Sequence, residues 1–152
     1  MSNVRRHTKS YSLDFWEVPR PQTFAEAVVI NESLRSDRAR APQNPNFLAL
    51  AESLTSRFPC TMDIGADSDH EVWSDGPVYG QSTAHWFGVG ILTQHAGAVV
   101  PFAVAAAQAA GLVTFDHQEG KAYLPDGKIL SYADARRAQS APKKVRPWWK
   151  PW

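Results

Sequence analysis

Short strand-like segments and helix-forming segments alternate along this 152-residue chain, and their order leaves few folds open to it. Tyr11–Val18 alternates apolar and polar side chains, which is typical of a strand, and Pro19 ends the pattern. The other predicted strands are Val72–Tyr79, Ala84–Thr93, Val113–Asp116 and Ala122–Leu124. Gly88 and Gly90 within one of them predict a bulge or the close approach of another group to the backbone.

Each of the three predicted helices has a signal at one of its ends. Thr23 and Glu26 form a capping box, which predicts a helix over Phe24–Ser36. The apolar face of this helix comprises Phe24, Ala27, Val28 and Leu34. Asn46 is the predicted cap of a second helix, whose apolar face comprises Phe47, Leu50, Ala51, Leu54 and Phe58. The third helix, Ala98–Ala110, is alanine-rich, with Pro101 in its first turn and Gly111 as its left-handed cap.

These elements predict the order β-α-α-β-β-α-β and an α+β fold. The two middle strands are close enough in sequence to form a hairpin, so we expect a mainly antiparallel sheet with the helices on one face. A ferredoxin-like split β-α-β arrangement is the simplest fold of this kind. The composition, 43% apolar and 20% charged, is that of a globular domain, which we place at residues 11–135. We expect residues 1–10 to be a flexible N-terminus and residues 136–152 to be a basic tail rich in tryptophan and proline.

The formal net charge of +1 conceals an uneven distribution along the chain. All 15 acidic residues lie between Asp14 and Asp134 with seven basic residues among them, so this part carries a formal charge of −8. Residues 1–9 carry +3 and residues 136–152 carry +6. An acidic body favours association with a basic partner, although an acidic surface also serves solubility alone.

The acidic residues are densest between Asp63 and Asp75, where five carboxylates occur without a lysine or arginine. Carboxylates steer a basic partner and aromatic rings provide contact area, so this segment is the predicted protein-binding surface. Its predicted contact residues are Asp63, Asp67, Asp69, Glu71, Trp73, Asp75 and Tyr79. A solvated acidic loop without a partner is the alternative.

The familiar catalytic and cofactor motifs do not occur in this sequence, which lacks a nucleophile elbow, a Walker loop, a dinucleotide fingerprint and a zinc-protease helix. The five histidines are scattered, and Cys60 is the single cysteine, which excludes an internal disulfide. A calcium loop starting at Asp67 is excluded, since Val72 takes the place of its glycine and Val78 that of its glutamate. We therefore expect no enzymatic activity, no metal and no cofactor.

The C-terminal segment Pro142–Trp152 combines four basic residues with three tryptophans. Cations contact phosphates and indole rings stack on unpaired bases, so this segment offers a second kind of site, one for nucleic acid. We favour the other interpretation, in which it docks on the acidic body, because exposed tryptophans are costly and the body repels phosphate. We expect no nucleic-acid contact elsewhere in the chain.

Three short motifs occur at the start, middle and end of the predicted domain. They are Tyr11–Trp16 followed by Pro19, Trp73–Gly76, and Gly111–Gln118 followed by Tyr123–Pro125. In these motifs the chain resembles a family of small bacterial immunity proteins, which are encoded beside polymorphic toxins or toxins delivered by secretion systems such as the type VI system. It departs from the family pattern at Ser12 and His117, where aspartate and proline are usual.

The resemblance implies a non-catalytic protein that binds one cognate toxin and occludes its active site. Together with the charge of the domain, it predicts a basic toxin, such as a nuclease or another enzyme that acts on nucleic acid. No apolar run reaches the roughly 18 residues needed to span a bilayer, and the basic N-terminus is not followed by an apolar signal segment. We therefore expect a cytoplasmic protein without membrane contact. A small nucleic-acid-binding protein that uses Pro142–Trp152 is the alternative function.

Overall fold

The computed structural model describes residues 10–37, 42–59, 72–74 and 82–133. The strands are β1 (Ser10–Trp16), β2 (Phe87–Leu92), β3 (Val113–Asp116), β4 (Lys121–Tyr123) and β5 (Ile129–Ser131). The helices are α1 (Phe24–Ser36), α2 (Pro45–Arg57) and α3 (Ala96–Ala109), and a 3-10 turn at Thr93–His95 precedes α3. The observed order β-α-α-β-α-β-β-β confirms the predicted α+β class.

The five strands form one sheet in the spatial order β2-β1-β3-β4-β5, and each pair of neighbours is antiparallel, as predicted. β1 lies inside the sheet, paired with β2 over Ser10–Phe15 and with β3 over Asp14–Trp16. A split β-α-β unit contains parallel strands, so the described strands do not form the ferredoxin-like arrangement.

Helices cover both faces of the sheet, whereas the sequence predicted them on one face. Leu13 and Phe15 of β1 pack with α2 and α3 in one core cluster. Trp16 packs with Phe24 of α1 and with Phe115 of β3 in a second cluster. Successive side chains of a strand point to opposite faces, and the end of β1 is apolar at both Phe15 and Trp16. Each face therefore needs its own cover.

The starts of α1 and α2 show how local hydrogen bonds set their bounds. Thr23 Oγ1 accepts from the backbone N–H of Glu26 at 3.1 Å, and the Glu26 carboxylate accepts from the backbone N–H of Gln22 at 2.9 Å. This arrangement confirms the predicted cap and bounds of α1. The cap of α2 is Asn44 instead of the predicted Asn46. The Asn44 side-chain oxygen accepts from the Asn46 N–H at 2.8 Å. The proline between them suits a first helical position, where no N–H is needed.

The alanine-rich helix α3 has the predicted glycine cap, but it begins two residues earlier than predicted and ends one residue earlier, at Ala109. It begins at Ala96, which places Pro101 in the second turn instead of the first. At its other end Gly111 has a φ of +77°, in the left-handed region that favours glycine. The Leu112 N–H donates to the Ala107 carbonyl at 2.8 Å, which completes a Schellman cap, and Leu112 is fully buried.

The remaining predicted elements are only partly matched. The strand predicted over Ala84–Thr93 corresponds to the shorter β2, Phe87–Leu92. The sequence did not predict β5. Of the strand predicted over Val72–Tyr79, Trp73 forms an isolated bridge with Ile91, and residues 75–79 lie outside the described part. The predicted N-terminus lies outside it too, apart from Ser10 in β1, as does the tail at 136–152. Among the described residues, no helix combines the length and apolarity that a membrane crossing requires.

Candidate functional site

Of the seven predicted partner-binding residues, the structure describes Trp73 alone. Trp73 is only 3% exposed, and its indole N–H donates to the Phe58 carbonyl at 2.6 Å. Its ring meets the Phe58 ring edge to face, with the centroids 6.4 Å apart. These contacts place Trp73 in the core, which corrects its predicted role as a surface anchor. The other six, Asp63, Asp67, Asp69, Glu71, Asp75 and Tyr79, lie outside the described residues.

A groove of about 420 Å³ lies on the sheet face that carries α1. Strands β1, β2 and β3 line it, together with the part of α1 between Val28 and Arg35. The lining residues are Ser12, Asp14, Val28, Asn31, Glu32, Arg35, Trp86, Gly88, Val89, Gly90, Phe115, His117 and Gln118. Asp14 is paired with Gly88 across β1 and β2, and Ser12 with Gly90. Because glycine has no side chain, β2 adds only backbone to the groove at these two positions.

A chain of hydrogen bonds connects three groove side chains that are far apart in sequence. The Trp86 indole N–H donates to Asn31 Oδ1 at 2.9 Å, and Asn31 Nδ2 donates to Asp14 Oδ2 at 3.0 Å. Asn31 is 7% exposed, so its amide is satisfied by these two partners and held in one orientation. The Asp14–Asn31–Trp86 chain therefore fixes the position of the carboxylate in the groove.

Trp86 is itself held by a tight turn and by a glycine. Its backbone N–H donates to Thr83 Oγ1 at 3.1 Å, and its carbonyl accepts from the Thr83 N–H at 2.7 Å. A Cβ atom at Gly88 would lie 2.4 Å from Cη2 of the Trp86 ring, closer than any real contact. The close approach predicted at Gly88 is thus confirmed, and the approaching group is an indole ring from the same chain.

Beyond the end of β3, the Gln118 side chain forms hydrogen bonds with the backbone of β1 at Ser12, which lines the groove. Its side chain accepts from the Ser12 N–H at 2.6 Å and donates to the Ser12 carbonyl at 2.9 Å. The same amide donates to Asp116 Oδ1 at 3.1 Å, and Asp116 Oδ2 accepts from the Tyr11 hydroxyl at 2.6 Å. These bonds satisfy the fully buried Asp116 carboxylate and make the region around Ser12 rigid.

Burial and the groups beside it act on the Asp14 carboxylate in opposite directions. Burial raises the pKa of Asp14, while the hydrogen bond from Asn31 and the nearby charges of Arg35 and His117 lower it, and the effect of burial is the larger. The Arg35 guanidinium also lies over the Trp86 ring, 5.9 Å from its centroid. A carboxylate in this setting binds a proton more tightly than one in water, and its ionised form gains from any further cation or hydrogen-bond donor.

Sequence reasoning noted the glycines of this groove but did not single out Asp14, Asn31 or Trp86 as site residues. A signal for Asn31 was present, because it lies seven residues after Phe24 and four after Ala27, on the buried stripe of α1. A polar residue at such a position indicates a buried hydrogen-bond partner. Nothing in the local sequence indicated Trp86, whose partner on α1 is 55 residues away.

No group of three or more histidine, cysteine, aspartate or glutamate side chains within the described ranges is arranged to hold a metal ion. Comparison of the chain with protein-family models, with curated proteins and with solved structures yields no match. The described site is therefore defined by its own geometry, a polar groove with a partly buried and firmly held carboxylate. Such a site is suited to binding a positively charged group.

Proposed function

We propose that this chain is an immunity protein that binds a basic protein toxin and blocks it. The observation that carries the proposal is the Asp14 carboxylate, held by Asn31 and Trp86 in a groove open to a partner. Removing a carboxylate from water without a cationic partner is costly. A positively charged side chain from another protein would offset that cost, and the site is already organised to receive it.

The charge of the domain and the resemblance support the same proposal. The part of the chain between Asp14 and Asp134 carries a formal charge of −8, which attracts a basic protein and accelerates its association. Immunity proteins, which the motifs of this chain resemble, act by binding a toxin, and we extend this property to this chain and place its action in the cytoplasm.

The test is affinity capture with the full chain from lysate of the source organism, with and without nuclease treatment. We expect one stoichiometric protein that survives the nuclease. Expressed alone, that protein should arrest growth, and co-expression of this chain should restore it. A captured protein that is harmless when expressed alone would contradict the proposal. Nucleic acid captured without a protein, and lost on deleting Pro142–Trp152, would support nucleic-acid binding by the tail instead.

The predicted acidic surface is tested on the same pair of proteins. Reversal of Asp67, Asp69 and Glu71 to lysine should slow association and weaken its salt dependence, because these carboxylates would no longer steer the partner. Glu52→Lys is the control, since Glu52 is exposed on α2, which packs on the sheet face opposite the groove. An unchanged association rate in the triple variant would remove the acidic segment from the interface.

A further inference from the structure

We propose that the groove receives a single lysine or arginine side chain of the partner, with its cationic group on the Asp14 carboxylate. This inference rests on the proposed function and names the chemical group that the site recognises. It assigns three roles within the described residues: Asp14 binds the cation, Asn31 and Trp86 position Asp14, and Arg35 opposes the cation.

The first step of the argument concerns the free capacity of the carboxylate. An ionised carboxylate has about four acceptor positions on its two oxygens. The hydrogen bond from Asn31 Nδ2 reaches Oδ2 at 3.0 Å and uses one of them. Because Asp14 lines the groove, a guanidinium or ammonium group placed there has acceptor positions within reach. A hydrogen bond between two charged groups is roughly twice as strong as a neutral one.

The second step concerns the space beside Asp14. Lysine and arginine carry three or four methylene groups, which pack on apolar surface while the charged head meets its partner. The groove offers such surface at Val28 and at the Trp86 ring, which itself covers Gly88 beside Asp14. The site therefore matches both parts of a basic side chain, its apolar stem and its charged end.

The third step concerns the other charges that line the groove. Glu32 adds a second negative charge, whereas Arg35 supplies a positive one close enough to affect Asp14. Arg35 is exposed and also lies over the Trp86 ring. It is thus a competing cation inside the site, and its charge should weaken the binding of a second one. Opposite effects of neutralising Asp14 and Arg35 are the distinguishing consequence of the proposal.

The experiment observes the Trp86 indole N–H by two-dimensional nitrogen–proton NMR of the labelled full chain. The signal is assigned by its loss in Trp86→Phe. The probes are Nα-acetyl-arginine methylamide and Nα-acetyl-lysine methylamide, with the uncharged Nα-acetyl-citrulline methylamide as the matched control. A single side chain of this size should bind with a Kd of about 1 mM or weaker. We expect the two cationic probes to shift the Trp86 signal saturably and the citrulline probe to leave it in place.

Three variants decide the interpretation. Asp14→Asn should weaken arginine binding about tenfold or more. Asparagine has nearly the same shape as aspartate, but it cannot offer the probe a charged acceptor. Arg35→Gln should tighten binding about twofold, because it removes an exposed repulsive charge. Glu52→Gln, on the opposite side of the sheet, should have no effect. Disruption of the groove by misfolding would weaken binding in both groove variants, so tighter binding in Arg35→Gln cannot come from a structural defect.

The outcomes separate this inference from the proposed function. Equal shifts with arginine and citrulline probes, or weaker binding in both Asp14→Asn and Arg35→Gln, would overturn the cation site. Growth rescue from a captured toxin, without any shift of Trp86 by the cationic probes, would overturn the cation site alone. Binding of the cationic probes with the expected variant pattern, in a chain that protects against no toxin, would support the cation site and refute the immunity function alone.

Discussion

Replacing Gly88 by alanine tests whether the Trp86 ring organises the groove. The new Cβ would lie 2.4 Å from Cη2 and 2.8 Å from Cζ2 of that ring, so the indole has to move. Movement of the ring breaks the 2.9 Å hydrogen bond to Asn31, which leaves a buried amide oxygen without its donor. The variant therefore perturbs the groove from its floor without altering any polar side chain.

The expected loss of stability combines three effects. Overpacking costs about 1–3 kcal/mol, and the loss of a neutral hydrogen bond costs about 1 kcal/mol. Alanine recovers about 0.5–1 kcal/mol, because it has fewer unfolded conformations than glycine. We expect the free energy of unfolding of Gly88→Ala to fall by about 1–3 kcal/mol, measured by urea denaturation. Gly97→Ala in α3 is the matched control, since a Cβ added at Gly97 would have no neighbour within 4 Å. This variant should be more stable than wild type.

A double-mutant cycle attributes the loss to Trp86. In Trp86→Ala the space above Gly88 is empty, so adding Gly88→Ala should cost little or even stabilise the protein. The indole N–H signal of Trp86 should also move in Gly88→Ala and stay in place in Gly97→Ala. If Gly88→Ala lowers stability equally with and without the Trp86 ring, or leaves the indole signal unchanged, the described contact does not organise the groove.

Three further predictions concern the groove carboxylate, the core and a helix end. Because burial raises the pKa of Asp14, the folded protein binds its proton more tightly than the unfolded chain, and this contribution to stability is lost as the pH rises above about 4. The free energy of unfolding of Asp14→Asn should therefore rise relative to that of wild type as the pH increases from about 4 to 7, as measured by urea denaturation. A difference between the two proteins that does not change with pH would contradict this prediction. Trp73→Phe should lower the free energy of unfolding by about 1–3 kcal/mol, because it leaves the Phe58 carbonyl without its donor at 2.6 Å, and an unchanged denaturation midpoint would count against this. Gly111→Ala should cost about 1–2 kcal/mol in a thermal or urea unfolding curve, since its φ of +77° strains any side chain, whereas Gly111→Asn should cost less.

Features that depend on near neighbours in the chain could be predicted from the sequence. The α1 cap involves residues three apart, and the Schellman cap joins Leu112 to Ala107. Such signals arise from local hydrogen bonds, which the residue types at fixed spacings determine almost alone. The apolar stripe of α2 was predicted for the same reason, since a 3.6-residue period requires only the helix itself.

Features that depend on distant partners could not be predicted. Nothing local to α1 or α2 determines how the two helices lie relative to each other, although the neighbouring apolar residues Phe15 and Trp16 of β1 were a signal that both faces of the sheet are covered. The groove is similar, because its hydrogen bonds join residues 17 and 55 positions apart. Trp73 shows the converse error: an aromatic residue beside acidic ones indicated a surface, but its indole N–H finds a partner in the core.

The groove concentrates residues that each lower the stability of the fold. A glycine inside a strand, a buried amide and a partly buried carboxylate are all costlier than well-packed apolar residues. Gly88, Asn31 and Asp14 bring these costs together at one place: Trp86 packs on Gly88 and donates to Asn31, and Asn31 donates to Asp14. Structural needs alone would be met by an apolar contact between α1 and the sheet, as at Trp16, Phe24 and Phe115. Proteins keep such destabilising residues mainly where they bind a ligand or a partner. A binding function therefore explains why this groove is polar.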